Sequence, residues 1–413
     1  MVTGQSSPNS VVGGQGGGVL PPKKLKSYIY VIIKMSLLSK LSSRLGKSPA
    51  VDLIYKYALS IKHTGLKSTV VSPYSLFSIL FPLYVSSSGE THLELGRYLQ
   101  LNNLDSETAQ TVITDTVKLL GDTAFCNYLN VLYMNPSYQV SPTFAELFKS
   151  YFKFESGIDS GEIDSFVNRF TNGLIPKIGL QIDRETVAVL LNVIYLKSDW
   201  LYKFNKEYTQ SAVFRGSDNT LLDVMLMRDT NHYLYSESSD RQVVYLPYTS
   251  RDYGMLVVLP KSDSSLSRTD LLDVDIGQMQ SRLVTVYLPR FELSVDLDNS
   301  YFQNNGLSHI FTPRSEINIS DKPFYVSRLL HKVVVKVDEN GTEAAALTVT
   351  AVSSCAPPSG EPERPVLFRA DHTFMFAIIK MVDCTYLPIF TGSLGGAPLP
   401  PDPLLRGEER GAQ

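Results

Sequence analysis

The chain has 413 residues, and its 38 Lys and Arg residues nearly balance 41 Asp and Glu residues, giving a formal net charge of −3. This balance argues against a protein that binds nucleic acid through bulk charge. With 43% hydrophobic and 19% charged residues, the body of the chain is expected to bury a large globular core. No stretch approaches the roughly 18 uninterrupted apolar residues of a membrane-spanning helix, so no membrane partner is predicted.

The two ends of the chain differ in composition from the body. Residues 1–45 include a glycine-rich stretch that cannot offset its own ordering entropy through side-chain burial, so a flexible leader is predicted. Residues 399–413 are predicted to form a disordered tail. The body, residues 46–398, is interpreted as one domain.

Apolar patterning predicts a mainly helical first half and a mainly β second half. Apolar residues three and four apart predict helices over residues 50–61, 75–84, 90–101, 142–152 and 162–170. Runs of β-branched and aromatic residues predict strands over residues 187–196, 242–246, 255–259, 283–288, 333–337, 374–381 and 386–390. Helices followed by strands, without strict alternation, predict an α+β fold with mixed β-sheets.

The motifs of common catalytic and metal sites are absent from the sequence. It contains no GxSxG, HExxH, CxxC or DxDxDG pattern. Cys384 and His372 are better explained as a turn residue and a residue at the start of a strand than as a catalytic pair. His63, His92 and His232 lack a second ligand at a useful spacing. We therefore expect no enzymatic activity and no metal or cofactor.

The cysteines and the N-terminal segment bear on the cellular compartment. Cys126, Cys355 and Cys384 are too few for a disulfide framework, and their odd number leaves at least one free thiol. The apolar run over residues 28–38 is broken by Lys34, so a secretory signal is not evident. The sequence predicts a cytoplasmic protein, with secretion as the less favoured alternative.

The most informative stretch follows the predicted strand at residues 333–337. Residues 338–355 consist mainly of small and β-capable side chains without a helical apolar stripe. Such a segment can adopt an extended conformation, but it has little to bury as a loop. This composition is typical of a β-strand that has not yet paired in a sheet.

At this point the chain resembles the serpin family, over nearly the whole body from about residue 50 to 398. Residues 339–346 (ENGTEAAA) resemble the hinge of inhibitory members, and residues 368–374 (FRADHTF) resemble the strand after the reactive-centre loop. Further matches lie at residues 72–75, 192–200 and 390–392. The sequence departs from the family pattern at Ser198, Leu347 and Thr373. The stretch between residues 103 and 125 is short for the family, as in virus-encoded members.

The resemblance implies a serpin fold with an exposed reactive-centre loop at about residues 339–367, and a suicide mechanism of protease inhibition. A target protease cleaves the loop, which then inserts into the large sheet and distorts the covalently attached enzyme. The hinge residues would be Glu339, Gly341, Thr342, Glu343, Ala344, Ala345 and Ala346. A monomer is expected. Host-defence modulation by a viral member is one role consistent with the resemblance.

Alternation of side chains along a strand tests whether this segment can insert. One face carries only small, uncharged or apolar residues: Thr342, Ala344, Ala346, Thr348, Thr350, Val352 and Ser354. Such a face can enter a packed interior without burying an unpaired charge. Glu343 and the unusual Leu347 fall on the opposite, outer face.

The family places four polar residues, Ser72, Ser75, Asn192 and His331, in the shutter beneath the strands that open. Ordinary hydrogen-bonded core residues are an alternative interpretation, and both can hold together. Arg290 and Glu339 are expected to pair at the top of the sheet, either as a specific ion pair or as a solvated surface pair of little energetic value.

Family loops place the scissile bond fourteen residues after the hinge glycine, which predicts cleavage between Cys355 and Ala356. A small apolar side chain at the cleaved position suits a serine protease of elastase-like specificity, and a cysteine protease target stays open. A cut near Glu363 or Arg364 is the rival. The alternative function is that of a non-inhibitory serpin acting as a binding or chaperone-like protein.

Two glycosylation sequons begin at Asn318 and Asn340, and the second lies inside the hinge. A glycan on Asn340 would hinder loop insertion, so inhibition and glycosylation there are hard to reconcile. This conflict adds to the case for a cytoplasmic protein. A glycosidase-sensitive form that accumulates in the culture medium and still traps a protease would contradict that location.

Overall fold

The computed structural model describes residues 48–61, 67–101, 103–119, 126–157, 159–180, 182–183, 185–196, 198–250, 252–261, 267–342, 363–382 and 385–396. The predicted leader and tail, the hinge residues Glu343, Ala344, Ala345 and Ala346, and the predicted scissile residues Cys355 and Ala356 lie outside the described residues. No helix among the described residues is long and apolar enough to span a bilayer.

The helices lie mainly in the first half of the chain. They are α1 (Pro49–Ser60), α2 (Pro73–Val85), α3 (Gly89–Tyr98), α4 (Ser106–Leu119), α5 (Pro142–Phe148), α6 (Ser160–Phe170), α7 (Arg268–Leu272) and α8 (Asn299–Asn304). Proline occupies the first position of α1, α2 and α5, where its missing N–H would have no intrahelical partner. Ser72 and Asp159 cap α2 and α6 by accepting a backbone N–H.

Two mixed β-sheets form the rest of the domain. In sheet A the strand order is β3-β2-β4-β12-β13-β5, and β11 also pairs with β12. Its strands are β2 (Cys126–Met134), β3 (Lys153–Ser156), β4 (Ala188–Leu196), β5 (Ser198–Asp199), β11 (Phe291–Leu297), β12 (Arg328–Val337) and β13 (Gly341–Thr342).

The second sheet, sheet B, has the order β1-β16-β15-β9-β8-β7-β10-β14, and β6 also pairs with β7. Its strands are β1 (Thr69–Val71), β6 (Gln210–Arg215), β7 (Leu221–Glu237), β8 (Arg241–Pro247), β9 (Tyr253–Pro260), β10 (Gln280–Pro289), β14 (Val366–Arg369), β15 (Phe374–Val382) and β16 (Thr385–Leu394).

Helix α2 joins the two sheets through the core. Every residue from Pro73 to Tyr84 is buried, because the helix packs against β4 of sheet A and β16 of sheet B. A helix that is apolar on all sides is the expected choice for such a position. The same hydrophobic cluster extends from α2 into both sheets, so the predicted shutter residues Ser72, at the N-cap of α2, and Ser75, in its first turn, lie next to this core.

The α+β fold with mixed sheets is confirmed, but several predicted elements were wrong in extent. The helix predicted over residues 142–152 ends at Phe148, and the next two buried aromatic residues, Tyr151 and Phe152, lie in a turn whose N–H groups bond to Phe148 O. The stretch between residues 103 and 125 contains the unpredicted helix α4. Helices α7 and α8 and strands β1, β2, β3, β5, β6, β7 and β11 were also missed.

Candidate functional site: hinge, shutter and loop anchor

Gly341 and Thr342 of the predicted hinge are paired in sheet A. β4 and β12 run parallel and pair directly from Val189–Arg328 to Tyr195–Val334. Beyond that point the two-residue strand β13 lies between β12 and β5, with Thr342 opposite Val337 on one side and Ser198 on the other. The first residues of the predicted loop therefore occupy the gap where β4 and β12 no longer pair.

Gly341 is required by the closeness of this pairing. A Cβ atom at this position would lie 2.0 Å from Ser198 O and 2.6 Å from Asp199 Cα, and both of these are backbone atoms. Backbone cannot move aside as a flexible side chain can, so any larger residue would push β13 away from β5. The hinge glycine thus permits backbone approach.

Thr342 faces the interior, on the side that strand alternation predicts. Its side chain is fully buried, and its Oγ1 lies 2.7 Å from Tyr248 Oη. The Tyr248 ring stacks on Trp200 at a centroid distance of 4.6 Å, and Trp200 Nε1 donates to Asp338 O (2.9 Å). Burial raises the pKa of Tyr248, so its phenol stays protonated beside Thr342 and Trp200.

The turn before β13 is fastened by several backbone groups. Asp338 Oδ1 accepts the N–H groups of Asn340 (2.8 Å) and Gly341 (3.3 Å). The N–H of Trp200 donates to Asn340 O (2.8 Å), and that of Phe204 donates to Glu339 O (3.0 Å). These bonds set the direction in which the chain enters the sheet.

Arg290 and Glu339 form a specific ion pair in which the carboxylate is buried. Arg290 Nε donates to both carboxylate oxygens (2.8 and 2.9 Å), Nη2 also bonds to Oε1, and Thr209 Oγ1 donates to Oε1 (2.6 Å). Glu339 is only 2% exposed. Burial opposes its ionisation, but the hydrogen bonds from Arg290 and Thr209 outweigh that effect and lower the pKa of Glu339. The solvated-surface alternative therefore does not describe this pair.

The four predicted shutter residues meet in one buried hydrogen-bond network. Asn192 on β4 and His331 on β12 are direct neighbours in the sheet, and His331 Nδ1 bonds to Asn192 Oδ1. Below them Ser75 Oγ lies 2.9 Å from Asn192 Oδ1 and 2.7 Å from Asn192 Nδ2. Ser72 Oγ accepts the N–H of Ser75 (3.2 Å) and donates to Ile389 O (2.6 Å).

Two further polar residues complete this network and were missed by the sequence analysis. Asn192 Nδ2 donates to Asn130 Oδ1 on β2 (2.5 Å), and Asn130 Nδ2 donates to Ser78 Oγ on α2 (3.0 Å). Both residues are buried. A lone asparagine inside the apolar run of β2 was the signal in the sequence, since a buried amide needs partners. The network ties α2 to three neighbouring strands.

His331 is neutral in this network. Its Nε2 accepts the N–H of Ser72 (3.5 Å), so the ring proton is assigned to Nδ1, which faces Asn192 Oδ1. Complete burial lowers the pKa of His331 to about 3, because no nearby carboxylate offsets the loss of solvation. A second ring proton would make Nε2 a donor that faces the N–H of Ser72, so the hydrogen bond between them would be lost.

The far end of the loop is anchored to sheet B. Glu363 Oε1 accepts the N–H of Leu283 on β10 (3.3 Å), and Oε2 lies 3.3 Å from His232 Nε2 on β7. The bond from Leu283, followed by the contact with His232, lowers the pKa of Glu363. From Val366 the chain pairs in parallel with β10. The loop therefore connects two fixed points, Thr342 in sheet A and Glu363 on sheet B.

Comparison with known proteins identifies the family of this chain. A family model described as serpin, serine protease inhibitor, matches residues 50–394. The chain belongs to the serpin family. It is 31% identical over 337 residues to Iripin-2 of Ixodes ricinus, covering 76% of this chain and 84% of that protein. It is 27% identical over 352 residues to serine proteinase inhibitor 2 of Rabbitpox virus (strain Utrecht), covering 81% and 95% respectively.

Solved serpin structures share the fold. The thermophilic serpin tengpin in its native state superimposes with a TM-score of 0.71 at 23% identity, covering 84% of this chain and 93% of that one. Serpins are generally protease inhibitors and not catalytic enzymes. Among the described residues of this serpin, no group of three His, Cys, Asp or Glu side chains could hold a metal ion.

The described residues give no support to a catalytic pair of Cys384 and His372. The His372 ring is held by Pro260 O (2.8 Å from Nε2) and by Asp371 Oδ1 (3.0 Å from Nδ1). Cys384 lies outside the described residues. His372 thus has a structural role at the start of β15.

The lowered pKa of His331 predicts acid sensitivity. Below pH 6.5 the unfolded chain takes up a proton that the native protein does not bind until about pH 3, so native stability falls as the pH falls through this window. The full effect is about 1.4 kcal/mol per pH unit. We expect the urea midpoint of the wild type to fall more between pH 7.5 and 5 than that of His331→Gln.

His232→Gln is the matched control, because that histidine is partly exposed at the surface. It should keep the steep pH dependence of the wild type. Equal pH dependence in the wild type and in His331→Gln would show that His331 does not titrate as its burial requires.

Proposed function

We propose that this serpin inhibits a protease as a suicide substrate, by inserting its cleaved loop between β4 and β12. The observation that carries this proposal is strand β13. Thr342 already pairs in the antiparallel sense with Val337 on one side and Ser198 on the other, and Gly341 pairs with Asp199. Continued growth of this strand would separate β4 from β12 and replace their direct parallel pairing with two antiparallel ones.

The register of β13 defines where each inserted residue would lie. Because the inserted loop would run antiparallel to both neighbours, each later loop residue would pair with an earlier residue of β4 and of β12. Ala344 would then lie between Leu196 and Val335, and Ala346 between Ile194 and Val333. All four neighbours are large and buried, so small inward residues on the loop fit a packed interior without displacing them.

Thr348 has a particular place in this register. Six residues beyond Thr342, it would lie between Asn192 and His331, on the inward face. Insertion at this point must break the direct bond between those two side chains. A threonine hydroxyl both donates and accepts, so it can bridge an amide and a neutral imidazole and keep the buried network satisfied.

The anchored end of the loop favours the Cys355–Ala356 bond over the rival cut. In the register of β13, residues 343–351 would match β4 and β12 down to Arg328, which leaves four residues to connect Cys355. Glu363 is held to Leu283 and His232, whereas a protease needs an extended, accessible segment in its cleft. Cleavage after Glu363 or Arg364 would first require release of this contact.

The proposed target is a serine protease of elastase-like specificity, because a cysteine side chain is small and suits a shallow pocket. A cysteine protease stays as a second target class. The alternative is a non-inhibitory serpin that acts as a binding or chaperone-like protein and that a protease would cleave as an ordinary substrate. Two features support the inhibitory function. The inward face of the loop from Thr342 to Ser354 carries no charge, and the first hinge residues already fit into sheet A between β12 and β5.

Mixing the serpin with elastase-like, trypsin-like and papain-like proteases tests the function directly. We expect an SDS-stable covalent band with at least one of them, and a released peptide whose first residue by mass spectrometry is Ala356. Clean cleavage without a covalent band for every protease would favour the non-inhibitory alternative. A released peptide that begins elsewhere would move the scissile bond and leave inhibition intact.

Thr348→Val tests the register, since it removes one hydroxyl while it keeps the shape of the side chain. The substitution leaves Asn192 and His331 without a bridging partner after insertion, so trapping should lose to hydrolysis. Thr350→Val is the matched control, because Thr350 would lie between the apolar side chains of Leu190 and Leu329. We expect the stoichiometry of inhibition to rise severalfold only for Thr348→Val. An equal rise for both variants would contradict the register.

We also propose that this serpin is a cytoplasmic monomer. A role in host-defence modulation as a viral protein stays a prediction. The hinge sequon supports the location: the Thr342 hydroxyl of this sequon is buried against Tyr248, and Asn340 is held by Trp200. A glycan on Asn340 would stand at the point where the loop must enter the sheet.

A further inference from the structure

Two arginines and two tyrosines alternate across the outer surface of sheet B. Arg228 on β7 and Arg369 on β14 both lie directly opposite Tyr287 on β10. Arg369 Cζ is 4.8 Å from the Tyr287 ring centroid, and Arg228 Cζ is 5.8 Å from the same centroid on the other side. Tyr208 extends the row, with its ring 6.0 Å from Arg228 Cζ. We call these four residues the arginine–tyrosine face.

The charge on this face is only partly compensated. Arg369 Nε donates to Asp371 Oδ2 (2.6 Å). Arg228 is exposed, and it takes part in no ion pair with the described carboxylates. The neighbouring Asp229 does not neutralise it, because Asp229 accepts a bond from the buried Tyr233 on the opposite side of the strand. Arg228 therefore offers an unused guanidinium to a partner.

The rings of Tyr287 and Tyr208 flank Arg228, and their centroids lie 5.8 and 6.0 Å from its Cζ, at the outer limit of cation–π contact. Contacts with aromatic rings restrict the long arginine side chain and leave the N–H edge free for a bidentate bond to a carboxylate. Because this ordering precedes binding, little conformational entropy is lost when a carboxylate binds. A surface arginine that is not flanked by rings would lose more.

We propose that the arginine–tyrosine face is a docking surface for an acidic patch on the target protease. The inference rests on the proposed function and adds a second contact to it. The face begins at the C-terminal end of the loop: Val366 is 11 residues from Cys355, a span of at most about 40 Å. A protease held at Cys355 thus has this surface within its reach.

The composition of the face favours a protein over a polyanion such as a sulfated glycan. Tyr208 and Leu367 are 54% and 55% exposed and lie beside the arginines. Exposed aromatic, apolar and arginine side chains together are typical of protein–protein hot spots. A polyanion site would need a run of uncompensated cations, whereas only Arg228 is uncompensated on this face.

The test is the rate at which the covalent complex forms. For the protease that the wild type traps fastest, Arg228→Glu should lower the second-order rate constant at least about tenfold, and Arg228→Ala about threefold. The stoichiometry of inhibition should not change, because the hinge and the shutter are untouched. Raising NaCl from about 50 to about 300 mM should slow the wild type more than either variant.

Arg314→Glu is the matched control, since it makes the same charge change at an exposed site elsewhere on the domain. Its rate should stay within about twofold of the wild type. Wild-type rates in Arg228→Glu for every trapped protease, or an equal loss in Arg314→Glu, would overturn the docking surface and leave inhibition standing. Heparin binding that depends on Arg228, with unchanged trapping rates, would assign the face to a polyanion and also overturn it.

The proposed function fails by a different result. A wild type that forms no covalent complex with any protease would overturn inhibition, and the docking surface with it. Arg228→Ala guards against a misfolded Arg228→Glu, because it removes the positive charge without adding a negative one.

Discussion

The structure depends on the direct parallel pairing of β4 with β12. This pairing closes the centre of sheet A, yet it ends at Tyr195 and Val334, where β13 begins to take its place. Parallel pairs are slightly less stable per residue than antiparallel ones, and a third strand would supply two antiparallel edges in exchange for one parallel edge. Under the proposed function, the intact serpin is a kinetically held state, and the sheet gains its additional strand only after the loop is cut.

Under the proposed mechanism, the polar network below this pairing must hold the sheet closed and still allow it to open. Apolar side chains between β4 and β12 would favour closure without distinguishing one register from another. Asn192 and His331 instead bond to one another in one register only, and Ser72, Ser75 and Asn130 hold Asn192 and His331 from below. Buried polar groups are costly when they lose their partners, so opening is opposed unless an incoming residue supplies new ones.

The sequence predicted those parts of the fold in which one pattern dominated. Strand β4 and residues 333–337 of β12 are rich in Val, Ile and Leu and were found, whereas α4 was missed because its threonines weaken the helical signal. Thr111 and Thr114 donate their hydroxyls to carbonyls one turn back, which makes them compatible with a helix after all. The family resemblance supplied the hinge and four shutter residues. Asn130 and Trp200 were not predicted as site residues, since their roles come from partners distant in sequence.

The most direct test of the account is the melting temperature of the serpin before and after its loop is cut at Cys355. Insertion adds a full strand to sheet A, with each new backbone hydrogen bond contributing about 0.5 to 1.5 kcal/mol net. The account predicts that the cleaved protein melts at a clearly higher temperature than the intact protein. A cleaved protein that melts at or below the temperature of the intact protein would contradict loop insertion and favour a non-inhibitory serpin.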